Sequence, residues 1–246
     1  MDNGATPSRL ARLRAAAPHP AISPDRHAVA VDIVLFTIQD EALKALLVKR
    51  PLAPFRGRWA LPGGVVRKDE SVDEAALREL QEDTGITRVY LEQLYTFGDL
   101  DRDPRGRVIS VSYYAAVDQA QLELHAKTRG ANARLFAVNR LPELAFDHRK
   151  IVSYALERLR NKVNYTSVAF QLLPKRFTLS ELQRAYEVIL GQALDKRNFR
   201  KKMLQLGILK NTGEQQGEGR QRPARLYAFT ETKVIKLQEK GIIVPF

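Results

Sequence analysis

Cysteine is absent from the 246 residues, so neither a disulfide framework nor a zinc–thiolate site can form. Long apolar runs are missing as well. The longest, Val29 to Ile38, is broken by Asp32 and falls well short of the ~20 residues that a bilayer crossing needs. The N-terminal stretch has no apolar core of the secretory kind. Met1 to Arg26 scatters Arg9, Arg12 and Arg14 among Ala and Pro and reads as a flexible basic tail. These absences point to a cytoplasmic protein that does not associate with membranes. No internal repeat is visible.

What is present is a normal apolar fraction, 44%, and a length sufficient for one large domain or two ordinary ones. Charge is distributed unevenly. The formal net charge is +12, and Asn161 to Phe246 holds 16 Lys and Arg against 7 Asp and Glu. The excess of basic residues therefore belongs to the last third of the chain. Such a block suits nucleic acid, although a solvated basic surface would carry the same charge.

The order of elements also changes near residue 160. Strand-like segments run over His27 to Ile38, Ala42 to Arg50, Val89 to Phe97, Val108 to Val117 and Ala133 to Val138. Helical spacing appears over Ser71 to Thr84, with Ser71 as cap and Gly85 as stop, and from Asp147 to about Lys162. This is an α+β or α/β mixture. Beyond it come three helices: Thr166 to Leu173, one opened at Thr178 by a capping box with Glu181, and Lys196 to Leu206 capped by Asp195. Two strands follow, Ile208 to Lys210 and Arg225 to Phe229, around a Gly- and Arg-rich loop from Asn211 to Pro223. Glu231 to Lys240 reads as a last helix. Helices followed by a hairpin make the order of a winged helix-turn-helix. The division predicted is a tail over 1–26, a first domain over 27–160 and a second over 161–246.

One segment carries specific chemistry. Gly64, Glu70, Arg78, Glu79, Leu80, Glu82, Asp83, Gly85 and Ile86 stand at the spacing G-x5-E-x7-R-E-U-x-E-E-x-G-U, with Asp83 in place of the second Glu of the pair. Glu79, Glu82 and Asp83 lie at i, i+3 and i+4, hence on one face of a helix. Three such carboxylates suit a hard divalent cation. Without the rest of the pattern they would read as a solvated, salt-bridged face. The pattern resembles the Nudix box. The resemblance implies an α+β Nudix fold, a mixed sheet between helices, over about Ala28 to Lys162. It implies Glu79, Glu82 and Asp83 as metal positions for magnesium, Glu70 as a supporting carboxylate and Arg78 as partner of the helix acids. Asp83 is a methylene shorter than Glu, so its oxygens stand on the order of 1 Å further back. Magnesium tolerates misplaced ligands poorly. We therefore expect a vestigial box, with no catalytic residue and no required cofactor.

Ligand contacts are expected from the Arg-dense loop Gly98 to Arg107, through Arg102 and Arg107, and from Arg50, Arg58, Trp59, Phe97, Glu79 and Glu82. Trp59 is equally suited to core packing, and Arg102 and Arg107 to loop solubility. His148 reads as a packing or capping residue at a helix start. In the basic third helix Phe199 and Met203 face inward. Lys196, Arg197, Arg200 and Lys201 then face outward, where they suit base edges and phosphates. Asn198 suits an adenine or the helix start, and Thr178 a phosphate or simply its cap. Arg220, Arg222 and Arg225 suit a wing that follows phosphates or enters a minor groove.

The segments Phe177 to Gln183, Leu194 to Arg200 and Arg222-Pro223-Ala224, taken with the Nudix box and Arg102 to Gly106, resemble the Nudix-related transcriptional regulators of NAD metabolism, the NrtR family. The resemblance implies a homodimeric repressor of NAD biosynthesis or salvage genes on a palindromic double-stranded DNA operator. It also implies ADP-ribose, or a related nucleotide, as the effector. The rival readings are an active ADP-ribose pyrophosphatase with an accessory DNA-binding domain, and an RNA-binding processing factor.

Overall fold

The computed structural model describes residues 27–87, 89–120, 122, 133–163, 168–217 and 223–230. The tail, the helix expected over Glu231 to Lys240, and Arg220 and Arg222 lie outside them.

The central strand β1 (Ala28–Gln39) is buried on both faces, which is why it reads as a nearly unbroken apolar run. It pairs antiparallel with β2 (Ala42–Lys49) and parallel with β6 (Val108–Ala116). Two short strands, β3 (Trp59–Ala60) and β4 (Gly63–Val65), pair with β2 and β1. β5 (Glu92–Phe97) closes one edge on β6, and β7 (Ala133–Ala137) pairs with β2. The sheet is thus mixed, with order β3-β2-β1-β6-β5 along its main path.

The period of two along β1 decides which helix each side chain meets. Val31, Ile33 and Leu35 pack with Ala75, Ala76 and Leu80 of helix α1 (Val72–Thr84). Val34 and Phe36 face the other way, onto Ile151, Val152, Ala155 and Leu159 of helix α2 (His148–Val163). Helix α1 starts as expected. The Ser71 hydroxyl accepts from the Glu74 amide, Glu74 accepts from the Ser71 amide, and Gly85 ends the helix in the left-handed region.

The second unit begins with the short helix α3 (Val168–Gln171) and strand β8 (Phe177–Thr178). Helices α4 (Leu179–Leu190) and α5 (Lys196–Gln205) follow, then the hairpin β9 (Leu209–Gln216) and β10 (Ala224–Phe229). β8, β10 and β9 make a small sheet, completing the winged-helix pattern. Several boundaries differ from expectation. β9 runs on to Gln216 through a segment read as loop, because its polar residues gain backbone partners across to β10, as in Gln216 opposite Ala224. β5 starts at Glu92 and not at Val89. β8 has no periodic signature, being two residues long.

The boundary expected after residue 160 falls inside α2. That helix continues to Val163, and one apolar cluster runs from Phe36 and Leu159 through Val163 and Ala169 to Phe177, Ile189, Phe199 and Met203. Phe229 of the hairpin stacks on Phe170 at 3.4 Å and leans on Phe177. The two units therefore share a core. Replacing the fully buried Leu159 by Ala should cost about 3 kcal/mol. We expect calorimetry to show one transition, shifted as a whole; a lowered peak for one unit with an unmoved peak for the other would contradict the shared core.

Candidate ligand site and nucleic-acid interface

Helix α1 presents the box residues on one face, and Arg78 organises them. Its Nε and Nη2 donate to the two oxygens of Glu70 at 2.8 and 2.6 Å, and its Nη1 donates to Glu79 at 2.6 Å. Nη1 also lies 3.4 Å from Glu82, which a second cation, Arg67, approaches at 3.3 Å. Hydrogen bonds from Arg78 hold Glu70 down at a pKa of about 2. At Gly64 a Cβ would sit 2.3 Å from Glu79 Oε1, so the glycine leaves room for that carboxylate beside β4. Gly63 is the stricter case: it has φ 155°, and a Cβ there would strike the Val31 carbonyl.

Asp83 does not join Glu79 and Glu82. Its Oδ2 accepts from the Gly63 amide at 3.1 Å. Burial, aided by the nearby charges of Glu79 and Glu82, raises its pKa to about 6. Among the described residues no three acidic or imidazole side chains group closely enough to hold a metal ion. Glu79 and Glu82 turn onto Arg78, and Asp83, within reach of their charges, faces the loop backbone.

A second cluster lies across β1 from the box. Asp32 is buried on the α2 face of the strand. Arg102 Nη2 donates to it at 3.0 Å and the Ser110 hydroxyl at 2.6 Å. His148 Nε2 faces its other oxygen at 3.2 Å, while Nδ1 accepts from the Leu61 amide. The imidazole proton is therefore on Nε2. Burial alone would raise the pKa of Asp32; His148, Arg102 and Ser110 outweigh it and hold the carboxyl well below the usual range. Arg102 also grips both oxygens of Asp147, at 3.1 and 2.8 Å.

These contacts change the expected ligand set. Arg102 is sequestered, its side chain only 4% exposed, and fully engaged by two carboxylates, so it is not presented to a phosphate. Phe97 is buried in the core against Tyr154. Trp59 packs edge-on to Phe136 at 4.8 Å. Arg107 donates to the Gly98 carbonyl and closes the base of its loop. Arg58 pairs with Glu143 at 2.7 Å.

Arg50 remains in play. Its guanidinium lies 4.6 Å from the centre of the Phe146 ring, and Arg105 stands 5.8 Å from the same ring. Burial, with the charge of Arg105 next, lowers the pKa of Arg50. Phe146 itself sits at φ 53°, outside the usual region for a bulky residue, at the entrance to α2. Two guanidiniums beside one aromatic ring suit an anionic group carried beside a flat ring. Asp32, Arg105, Phe146 and Asp147 were not legible as site residues. Asp32 was signalled only by the break it makes in an apolar run, and Arg105 only by its place in an Arg-dense loop.

At the other end of the molecule, α5 shows a basic face. Lys196, Arg197, Asn198 and Lys201 are exposed, while Phe199 and Met203 are buried against α4. The Asp195 side chain accepts from the Asn198 amide and caps the helix. One expected contact differs, and of the two readings of Thr178 the cap is the one seen. Arg200 is half-buried and donates to Ser180 at 3.0 Å, tying α5 to α4. Thr178 is buried, and its hydroxyl accepts from the Glu181 amide as the cap of α4. Arg225 is exposed on β10.

Residues 26–155 match the profile of the NUDIX domain, and residues 169–229 that of the NrtR DNA-binding winged helix domain. An ADPR-responsive transcriptional repressor of Acinetobacter baylyi is 38% identical over 203 residues, 81% of this chain and 80% of that protein. The chain belongs to the NrtR family. A crystal structure of Shewanella oneidensis NrtR complexed with a 27mer DNA covers 84% of this chain and 95% of its own, with 37% identity and a TM-score of 0.75. An ADP-ribose pyrophosphatase of Methanocaldococcus jannaschii is 43% identical over 125 residues, 51% of this chain and 70% of that protein. The NrtR pairing of units thus coincides with the two clusters described above, one around α1 and the start of α2, one on α5.

The raised pKa of Asp83 has a measurable consequence. Its folded value, about 6, exceeds its ordinary 3.8, so its contribution favours folding in acid and is lost as pH rises through about 6. Asp83→Asn removes that penalty and keeps an acceptor for the Gly63 amide. The variant should match the wild type near pH 4 and exceed it above pH 6 by roughly 1–3 kcal/mol. Denaturant titrations across this range check it; a gap that does not widen with pH would contradict the burial argument.

Proposed function

We propose that the protein is an ADP-ribose-responsive transcriptional repressor, in which the Nudix unit binds ADP-ribose and α5 binds double-stranded DNA. The observation that carries this reading is structural continuity. The basic, capped helix α5 belongs to the same core as the carboxylate and guanidinium site, and the arrangement extends over most of the length of a repressor of the same kind. We further propose that the protein acts as a homodimer on a palindromic operator, and that the genes it controls serve NAD biosynthesis or salvage.

In the ligand unit, Arg50 and Arg105, the latter held by Asp103, supply positive charge beside Phe146, and Glu79 and Glu82 lie on α1. We take capture of the ligand to need no metal. Asp83 is spent on Gly63, and Arg78 holds the other acids. The second reading, an ADP-ribose pyrophosphatase, is favoured by the 43% identity to the archaeal enzyme. It predicts AMP release from ADP-ribose with magnesium, which the repressor reading does not require.

A mobility-shift assay on the duplex upstream of the protein's own gene tests the function. Retardation that weakens or strengthens with ADP-ribose is expected. No retardation of any duplex together with rapid AMP release would overturn it. Replacing Lys196, Arg197 and Lys201 together by Ala should weaken binding to all duplexes and make the log–log salt dependence shallower by about 3, near 0.9 for each phosphate left without its cation. ADP-ribose affinity measured by calorimetry should be the same in EDTA and in magnesium.

A further inference from the structure

Besides apolar packing, polar contacts among the described residues connect the ligand unit to the winged helix by at least two routes. The first is exposed. In the turn between β1 and β2, Asp40 and Glu41 are both left-handed, and Glu41 reaches Arg184 of α4 at 2.9 Å. The two side chains are 77% and 47% exposed, and cavities of about 520 and 380 Å³ are both lined by the pair. An ion pair so open to water holds two bodies together weakly.

The second connection is α2. We propose that this helix carries ligand occupancy to the DNA-binding unit, and that Arg160 is the positioning residue at its delivering end. The inference rests on the ADP-ribose-responsive reading.

The receiving end of α2 is built from the ligand site. Phe146, left-handed and next to the helix, is enclosed by Arg50, Arg105 and Phe55, whose ring lies 4.9 Å away. A ligand that draws Arg50 or Arg105 onto its charged groups changes what this ring packs against. Asp147, the next residue, is clamped on Arg102, and the Lys150 and Ile151 amides donate to its carbonyl. The first turn therefore follows that corner.

Between its ends α2 contains neither proline nor glycine. Its 16 residues span about 24 Å and are buried along one stripe, so a shift at one end is not absorbed in the middle. At the far end Arg160 Nε donates to the Ile189 carbonyl at 3.0 Å. Ile189 lies in the last turn of α4, where carbonyls lack partners within the helix. Gly191 follows, and a Cβ there would lie 3.3 Å from the Arg160 guanidinium. α4 in turn holds α5 through Tyr186 against Phe199 and through Ser180 to Arg200. A displacement of Arg160 is thus delivered to the helix that bears Lys196, Arg197 and Lys201.

The test uses the full chain and three variants. Arg160→Met keeps the apolar stem and loses the donor, Arg160→Lys keeps a charge, and Glu41→Gln breaks the exposed pair. Calorimetry gives ADP-ribose affinity, and mobility shifts give the ratio of DNA affinities without and with ADP-ribose. In R160M the two separate affinities should stay within threefold of wild type, while the ratio moves at least fivefold toward one. R160K should lie between, and E41Q should keep the wild-type ratio. A responsive wild type with an equally responsive R160M overturns the inference alone, as does loss of response in E41Q with R160M intact. A wild type that binds DNA but ignores ADP-ribose overturns the functional reading itself. R160K, the milder change, supplies the same comparison if R160M does not fold.

Discussion

Asp32 interrupts the most apolar strand of the molecule, and its carboxylate is shielded from water. A buried charge of that kind is tolerable only when neighbours replace its hydration. Arg102, Ser110 and His148 do so, each from a different part of the chain. The consequences spread outward. Because Arg102 must reach Asp32, the loop from Gly98 to Arg107 is drawn inward and Asp103 is buried with it. Because Arg102 also grips Asp147, the start of α2 is fixed against that loop. Because His148 faces Asp32 and accepts from Leu61, the link between β3 and β4 is fixed too. Removing one member would leave the others buried and unpaired, a larger penalty than the pair itself contributes.

The same logic separates the two carboxylate clusters. Around Asp32, cations and donors exceed what the acid requires, and its pKa falls. Around Asp83, the neighbours are acids and the cover is incomplete, so its pKa rises. A ligand rich in negative charge is disfavoured by Glu79, Glu82 and Asp83 unless cations stand between. Arg78 does so within the helix face, and Arg50 and Arg105 do so at the Phe146 corner. On the proposed reading these cations are what let the site hold an anionic ligand.

Much of the fold was legible because it depends on local rules. The period of two in β1, the capping boxes at Ser71 and Thr178, and the left-handed glycines Gly85 and Gly191 all carry their own sequence signals. The box spacing located α1 for the same reason. The site was less legible. Arg102 and Arg107 were visible as a cluster of arginines in a loop, but nothing local distinguishes an arginine that reaches a ligand from one that neutralises a buried aspartate 70 residues away. The same holds for Arg200, whose helical position allowed an outward direction until its hydrogen bond to Ser180 turned it back. Phe146 and Asp147 looked like an ordinary helix entrance. Only the tertiary arrangement brings Arg50, Arg105 and Phe55 around them.

The shared core sets what regulation can be. A ligand moves an equilibrium only by the difference in its affinity for two arrangements. Had the winged helix been tethered by a flexible linker, every arrangement of it would leave the ligand site unchanged, and that difference would vanish. Here α2 belongs to both units. Its start is built into the Arg102 and Phe146 surroundings, and its end is fixed among Val163, Ile189 and Phe177. A change in the one environment is therefore felt as a change of packing in the other, because closely packed interiors pass strain on instead of dissipating it. On the proposed reading the pocket matters for the contacts it makes with α2, and an aspartate turned toward Gly63 is no obstacle to that role.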